Sequence, residues 1–158
     1  MTSDVDLAAL DLGYLALFVG MRVNEVLLDK LHAAGYADAR HAHGYVFQHL
    51  IDGPRTITEL ARRLDVSQQA ASKSVAELID LGYLVSEPSP DRRARRISLS
   101  KRARACIALS RQVRARLEHK LVAKHRAAFA RTRTLLATIL VELGGAPAVR
   151  ARQIRAPR

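Results

Sequence analysis

The chain has 158 residues and a formal net charge of +11, with 49% hydrophobic residues but only 4% aromatic and no Trp. That length suits one domain with its own core, and a core built mainly from Leu, Ala and Val favours helix packed on helix over a β-sandwich. One cysteine excludes an internal disulfide framework, no apolar run approaches a membrane span, and the acidic start MTSDVDLAALD lacks the basic opening of a secretory signal, so a cytoplasmic location is expected.

From Asp6 to about His32, Leu7, Leu10, Tyr14, Leu17, Phe18, Met21, Leu28 and Leu31 trace a long helical stripe, which Val23, Val26 and Leu27 widen beyond one face. A helix apolar on more than one side needs two partners. Ala33, Ala34 and Gly35 close it. Asp38 is placed to cap a second helix running to about Ile51, with Val46, Phe47 and Leu50 inward. His41 and His43 are two apart and leave a helix on different sides, whereas helical metal pairs need a spacing of three or four. These histidines and His49 are therefore expected on the surface or lining a pocket, and no metal is expected. Asp52, Gly53 and Pro54 form a turn, and Arg55 to Ile57 are expected to add a short strand to the hairpin that comes later.

Thr58 and Glu59 open a third helix with Leu60, Ala61 and Leu64 on one face. Asp65 and Val66 break the pattern, and Ser67 is a suitable N-cap for a fourth helix beginning at Gln68. That helix turns Ala71, Val75 and Leu78 inward. Its other side carries Gln68, Gln69, Ser72 and Lys73, all able to hydrogen-bond to base edges or phosphates. Gly82 ends it. The period then becomes alternating, with Tyr83, Leu84 and Val85 leading out and Arg95, Ile97 and Leu99 leading back. Between them Arg92, Arg93, Arg95 and Arg96 fall within five residues, flanked by Pro88 and Pro90. The charge changes sign here: residues 1–84 hold 7 basic and 11 acidic residues, and residues 85–133 hold 15 and 3. A basic hairpin beside a polar helix N-terminus points to a nucleic-acid reader with steep salt dependence.

Ser100 caps a long helix from Lys101 whose stripe is Cys106, Leu109, Val113, Leu117 and Leu121, with Arg104, Arg111, Arg114 and Arg116 opposite. On that stripe the Cys106 thiol packs as a small hydrophobe; Arg102 and Arg104 leave a redox role as the alternative. A last amphipathic segment holds Phe129, Leu135, Leu136, Ile139, Leu140 and Leu143, and the basic tail, 144–158, is expected to be mobile. The apolar stripes of residues 6–32 and 124–143 exceed what one small winged helix covers, so the helices of 6–34 and 101–143 are expected to meet a second copy. A monomer with a larger helical core is the alternative.

The pattern LA-x-x-L-x-V-S from Leu60, S-K-x-V-x-x-L-x-x-x-G-Y from Ser72, DRR at Asp91 to Arg93 and the L-S of Leu99 and Ser100 resembles the MarR family of winged-helix transcription regulators. The resemblance implies a mainly α fold with a small β-wing: a winged helix-turn-helix over 38–100, flanked by N- and C-terminal dimerisation helices within a single domain, 1–158. It implies groove and phosphate contacts at Ser67, Gln68, Gln69, Ser72 and Lys73, with Arg95 in the basic hairpin. Asp91 would hold a wing arginine in place, and Arg92 or Arg93 would enter the minor groove. It also implies a bend near Val122 to Lys124. The function expected is that of a ligand-responsive repressor acting as a homodimer on a pseudo-palindromic double-stranded operator. Tyr14, Phe18, Arg22, His43 and Phe47 are the residues placed for an aromatic-acid effector. The alternative is a sequence-indifferent DNA-compacting protein. Neither an enzyme nor a cofactor is expected, because the chain has no Gly-rich phosphate loop, nucleophile elbow or paired carboxylates on a helix face.

Overall fold

The structure, a computed structural model, describes residues 5–88 and 95–151. The chain forms two compact units, Met1–Ala39 and Arg40–Arg158. In the first, a 3-10 turn at Leu7–Ala9 precedes helix α1, Leu12–Ala33. The single helix expected from Asp6 is thus divided, because two aspartates act as caps. The Asp6 carboxylate accepts the Ala8 N–H and the Asp11 carboxylate accepts the Tyr14 N–H, each at 2.9 Å. Gly35, at φ +93°, turns the chain out of α1, and the Tyr36 N–H reaches back to the Leu31 carbonyl. Only Leu27 and Leu31 of the stripe are buried, whereas Leu12, Tyr14, Leu17, Phe18, Val19 and Met21 are exposed.

The second unit begins with α2, His41–Leu50. Asp38 is not its cap; the N-cap residue is Arg40, whose backbone N–H donates to His43 Nδ1 at 3.3 Å. His43 and His49 are buried, which excludes the surface half of the expectation for them and leaves the pocket-lining half, while His41 is exposed with its ring edge-on to Tyr45. His43 follows the core face because it stands at i, i+3, i+4 and i+7 with Val46, Phe47 and Leu50.

Helix α3, Ile57–Leu64, starts before the expected Thr58 because Thr56 and Glu59 form a reciprocal cap. The Thr56 hydroxyl accepts the Glu59 N–H at 3.2 Å, and the Glu59 carboxylate accepts the Thr56 N–H at 2.7 Å. That backbone hydrogen bond holds the Glu59 carboxyl below the ordinary carboxylate range. Partial burial opposes it; the Thr56 hydroxyl and the fields of Arg55 and Arg96 assist. A carboxyl with a depressed folded pKa stabilises the fold above its unfolded pKa and loses that contribution as pH falls through the folded value. Glu59→Gln is therefore expected to flatten the acid limb of the stability-pH curve in chemical denaturation. An acid limb identical to that of the parent would remove Glu59 from the account.

Asp65, left-handed at φ 55°, makes the turn to α4, Gln68–Asp80, and the Ser67 hydroxyl caps that helix by accepting the Ala70 N–H at 3.1 Å. Gly82, at φ +73°, ends α4, with the Gly82 and Tyr83 N–H groups returning to Ile79 and Leu78 at 2.8 Å. Strands β1, Leu84–Pro88, and β2, Arg95–Leu99, pair antiparallel from Leu84 opposite Leu99 to Pro88 opposite Arg95. The expected third strand is reduced to one bridge, in which Arg55 and Ile97 exchange both backbone hydrogen bonds at 3.0 and 2.7 Å. The Thr56 cap leaves no room for more, since α3 starts at the next residue.

Helices α2 to α4, the strands and the start of α5 enclose Val46, Phe47, Leu50, Leu60, Ala61, Leu64, Ala71, Val75, Leu78, Tyr83, Leu84, Ile97, Leu99, Ala103 and Cys106. Ser100 ties the pieces: its hydroxyl donates to the Gly82 carbonyl at 2.7 Å and accepts the Ala103 N–H, capping α5. Helix α5, Lys101–Glu142, departs from helical geometry at Arg126 (φ 44°, ψ −117°), a few residues beyond the expected bend. The Arg133 guanidinium pairs with Glu118, 15 residues earlier, and lies over the Phe129 ring. Fifteen residues of straight helix would span about 22 Å, so the second limb of α5 folds back on the first. Leu109, Val113, Leu117 and Leu121 are half-buried rather than enclosed. The tail, expected to be mobile, opens with a short helix, α6, Ala146–Ala151.

Candidate nucleic-acid interface

Helix α4 presents two unlike sides because its sequence does. With Ala71, Val75 and Leu78 turned into the core, and about 100° of rotation per residue, Gln69, Lys73 and, at the far end of the helix, Asp80 point most directly outward. Gln68 and Ser72 flank Gln69 and Lys73, and these four polar side chains are exposed. The first turns of α4 thus carry neutral hydrogen-bonding groups and one cation at a helix N-terminus, where free N–H groups and the helix dipole favour a phosphate. Ser67, also exposed, spends its oxygen on the cap and keeps its hydroxyl proton for an outside acceptor.

The paired strands bring one more expected residue into place. Arg95 is exposed at the start of β2, where its Nε donates to the Ser86 hydroxyl at 2.6 Å and an Nη donates to the Ser86 carbonyl at 3.2 Å. Two donors fix the guanidinium against β1 and the others remain available. Asp91, Arg92 and Arg93 lie outside the described residues.

Sequence reasoning missed the pair Arg40 and Glu77. Glu77 lies on the outward side of α4, four residues after Lys73, and its carboxylate accepts from the Arg40 guanidinium at 2.9 Å. The pair covers a negative charge that would otherwise face any polyanion on this helix. Thirty-seven residues separate the partners, so no local pattern announces them.

The residues assigned to an effector fall into two groups. In the first unit Tyr14 and Phe18 stack edge-on with ring centroids 4.9 Å apart, and the exposed Arg22 pairs with Glu25 at 2.7 Å. The Glu25 hydrogen bond, then its charge, raises the pKa of Arg22. In the second unit His43 and Phe47 are buried with Tyr83, at centroid distances of 6.3 Å between themselves and 6.0 and 5.5 Å to Tyr83. Cys106 is buried on α5. Among the described residues no cluster of His, Cys, Asp or Glu suits a metal, and no helix is long and apolar enough to cross a membrane.

A capped recognition helix set after a left-handed turn, followed by an antiparallel pair of strands and a long helix, is a winged helix-turn-helix. Residues 41–95 match the model of the MarR family. No curated protein matches the chain. Among solved structures it is similar to the reduced form of MarR from E. coli, at 24% identity over 83% of this chain and 97% of that one, with a TM-score of 0.65. It is also similar to a MarR-like transcriptional regulator from Thermotoga maritima, at 20% identity over 89% and 98%, with a TM-score of 0.66. A mutant E. coli MarR complexed with operator DNA matches at 22% identity over 87% and 99%, with a TM-score of 0.59. At these identities the likeness is one of fold.

Proposed function

We propose that this protein is a sequence-specific double-stranded DNA-binding transcription regulator that acts as a homodimer on a pseudo-palindromic operator. One observation carries the reading: the N-terminal half of α4 presents Gln68, Gln69, Ser72 and Lys73 to solvent, and the Glu77 carboxylate farther along the same helix is paired with Arg40. A polar helix end of this kind reads base edges in the major groove, while the surrounding cations position it on phosphates. The solved complex of an E. coli relative with operator DNA supports the same use of the fold. Repression is the sense adopted, as in the E. coli repressor of this fold.

Two copies are invoked because apolar surface is left uncovered on α1 and on the second limb of α5. A two-fold dimer would set two recognition helices about 34 Å apart, one turn of DNA, and match a symmetric site. The effector class is an aromatic acid, for which Arg22 and the exposed rings of Tyr14 and Phe18 supply a cation and an apolar surface.

The test is selection of bound duplexes from a random pool at physiological salt, followed by titration of the winner against scrambled DNA. A two-fold symmetric motif bound at least about a thousandfold more tightly is expected. Uniform, salt-sensitive binding to every duplex would favour the DNA-compacting reading, which the +11 charge alone would explain. Within the selected site, Gln69→Ala is expected to erase about 1–3 kcal/mol of preference at one base pair while leaving scrambled-DNA affinity nearly unchanged. Equal losses on both duplexes would make Gln69 a phosphate contact.

A further inference from the structure

Arg55 bridges to β2 just before α3, and Arg96 stands on β2 itself. Their guanidiniums converge on one neutral acceptor, the Pro54 carbonyl oxygen, with an Nη of Arg55 at 3.3 Å and an Nη of Arg96 at 3.2 Å. Two cations that share one carbonyl stand within reach of a single anion. Both side chains are half-buried, and the Nε of each is enclosed with no acceptor. A buried donor left unmet is costly, so each guanidinium has an unspent edge that an incoming acceptor would satisfy.

Nearby carboxylates do not fill this role. Glu59 is close enough for both arginines to lower its pKa, yet its Oε2 is committed to the Thr56 N–H and hydroxyl at 2.7 and 3.1 Å. Glu87, opposite Arg96 in the strand register, accepts from the Ser98 hydroxyl at 3.2 Å. Among the described residues neither arginine forms an ion pair. The N-terminus of α3, capped at Thr56, adds its dipole to the same corner.

We propose that Arg55 and Arg96 form an oxyanion site at the base of the wing, and that in the DNA complex it clamps one backbone phosphate. A tetrahedral oxyanion offers several acceptors to two planar forks, and a small rotation of each side chain turns its Nε–Nη edge toward it. The corner joins the start of α3 to β2, so the phosphate would register the duplex without reading a base. The DNA source rests on the DNA-binding reading above; the oxyanion chemistry does not.

The full chain would be compared with Arg55→Gln, Arg96→Gln and the double variant, titrating both selected and scrambled duplexes over a range of salt. Each single variant is expected to weaken both duplexes by a similar factor, roughly tenfold, and to reduce the slope of log affinity against log salt by about 0.9. The double variant loses no more slope than the singles, because one phosphate is shared. Unchanged slopes in all three would overturn the DNA clamp. A second arm uses inorganic phosphate without DNA, at ionic strength matched with chloride: it should raise the melting temperature of the parent and not of the double variant. Phosphate stabilisation with unchanged DNA slopes would assign the site to a free oxyanion, and absence of both effects would overturn the site altogether. If the parent binds no duplex, the DNA-binding reading fails on its own account and the phosphate arm alone decides the site. Melting of each variant in chloride checks that the fold survives.

Discussion

Tyr83→Ala is expected to lower the unfolding free energy by about 3–5 kcal/mol, the range for truncating a fully enclosed aromatic side chain. Tyr83 is 0% exposed, between the Phe47 ring at 5.5 Å and the His43 ring at 6.0 Å, with the Arg102 guanidinium 4.8 Å from its centroid. Its backbone sits at the junction of three elements. The N–H closes the end of α4 onto Leu78, and the carbonyl accepts the Ser100 N–H at 2.9 Å at the start of α5. Removal of the ring leaves a cavity where the recognition helix, the wing and the long helix meet, and domains of this size have only about 5–15 kcal/mol in total. Tyr83→Phe keeps the ring and alters only the hydroxyl, which lies 3.5 Å from an Arg102 Nη, so it should cost about 1 kcal/mol or less. Denaturant midpoints at one fixed protein concentration, with the slope unchanged, measure both. A loss under about 1 kcal/mol for the alanine variant would show that the aromatic cluster is not the centre of this core.

Recognition of the winged helix from the sequence depended on local signals. Ser67 before Gln68, Gly82 after Asp80 and Ser100 before Lys101 each act within four residues of themselves, and each forms the cap that its position implies. Thr56 and Glu59 carry the same kind of signal, a capping box, and it starts the helix at Ile57, one residue before the Thr58 that also suits an opening. The burial of His43 follows from spacing, since it shares the i, i+3, i+4, i+7 face of Val46, Phe47 and Leu50; of the two positions expected for it, surface or pocket-lining, burial excludes the first. The fold-back at Arg126 has no Gly or Pro to mark it, so its position follows from tertiary contacts such as Arg133 with Glu118. Arg40 with Glu77, and Arg55 with Arg96, are pairs distant in sequence that only folding assembles, and the electrostatics of the candidate interface depend on them.

If the proposed homodimer forms through α5, Leu136→Asp is expected to convert it to monomer. On the second limb of α5, Leu136, Ile139, Leu140 and Leu143 recur at the spacing of one helix face, and none is enclosed within the single chain; Leu136 is 39% and Leu143 80% exposed. Each leucine gains about 1.5–3 kcal/mol on full burial, so a stripe of this length is a strong reason for two copies to associate. An aspartate in the middle of that stripe would have to be desolvated without a partner, a penalty of several kcal/mol, and every 1.4 kcal/mol is about tenfold in the dissociation constant. The dimer should therefore weaken by at least roughly a hundredfold, read by sedimentation equilibrium, with circular dichroism showing that the helices remain. Operator affinity should fall further than scrambled-DNA affinity, because a linked second reading head multiplies operator binding by roughly 10²–10⁴. The two readouts must move together: a folded dimer after this substitution would refute the α5 interface. A monomer with undiminished operator affinity would mean that one recognition helix suffices, and with it the argument for a symmetric site would fall.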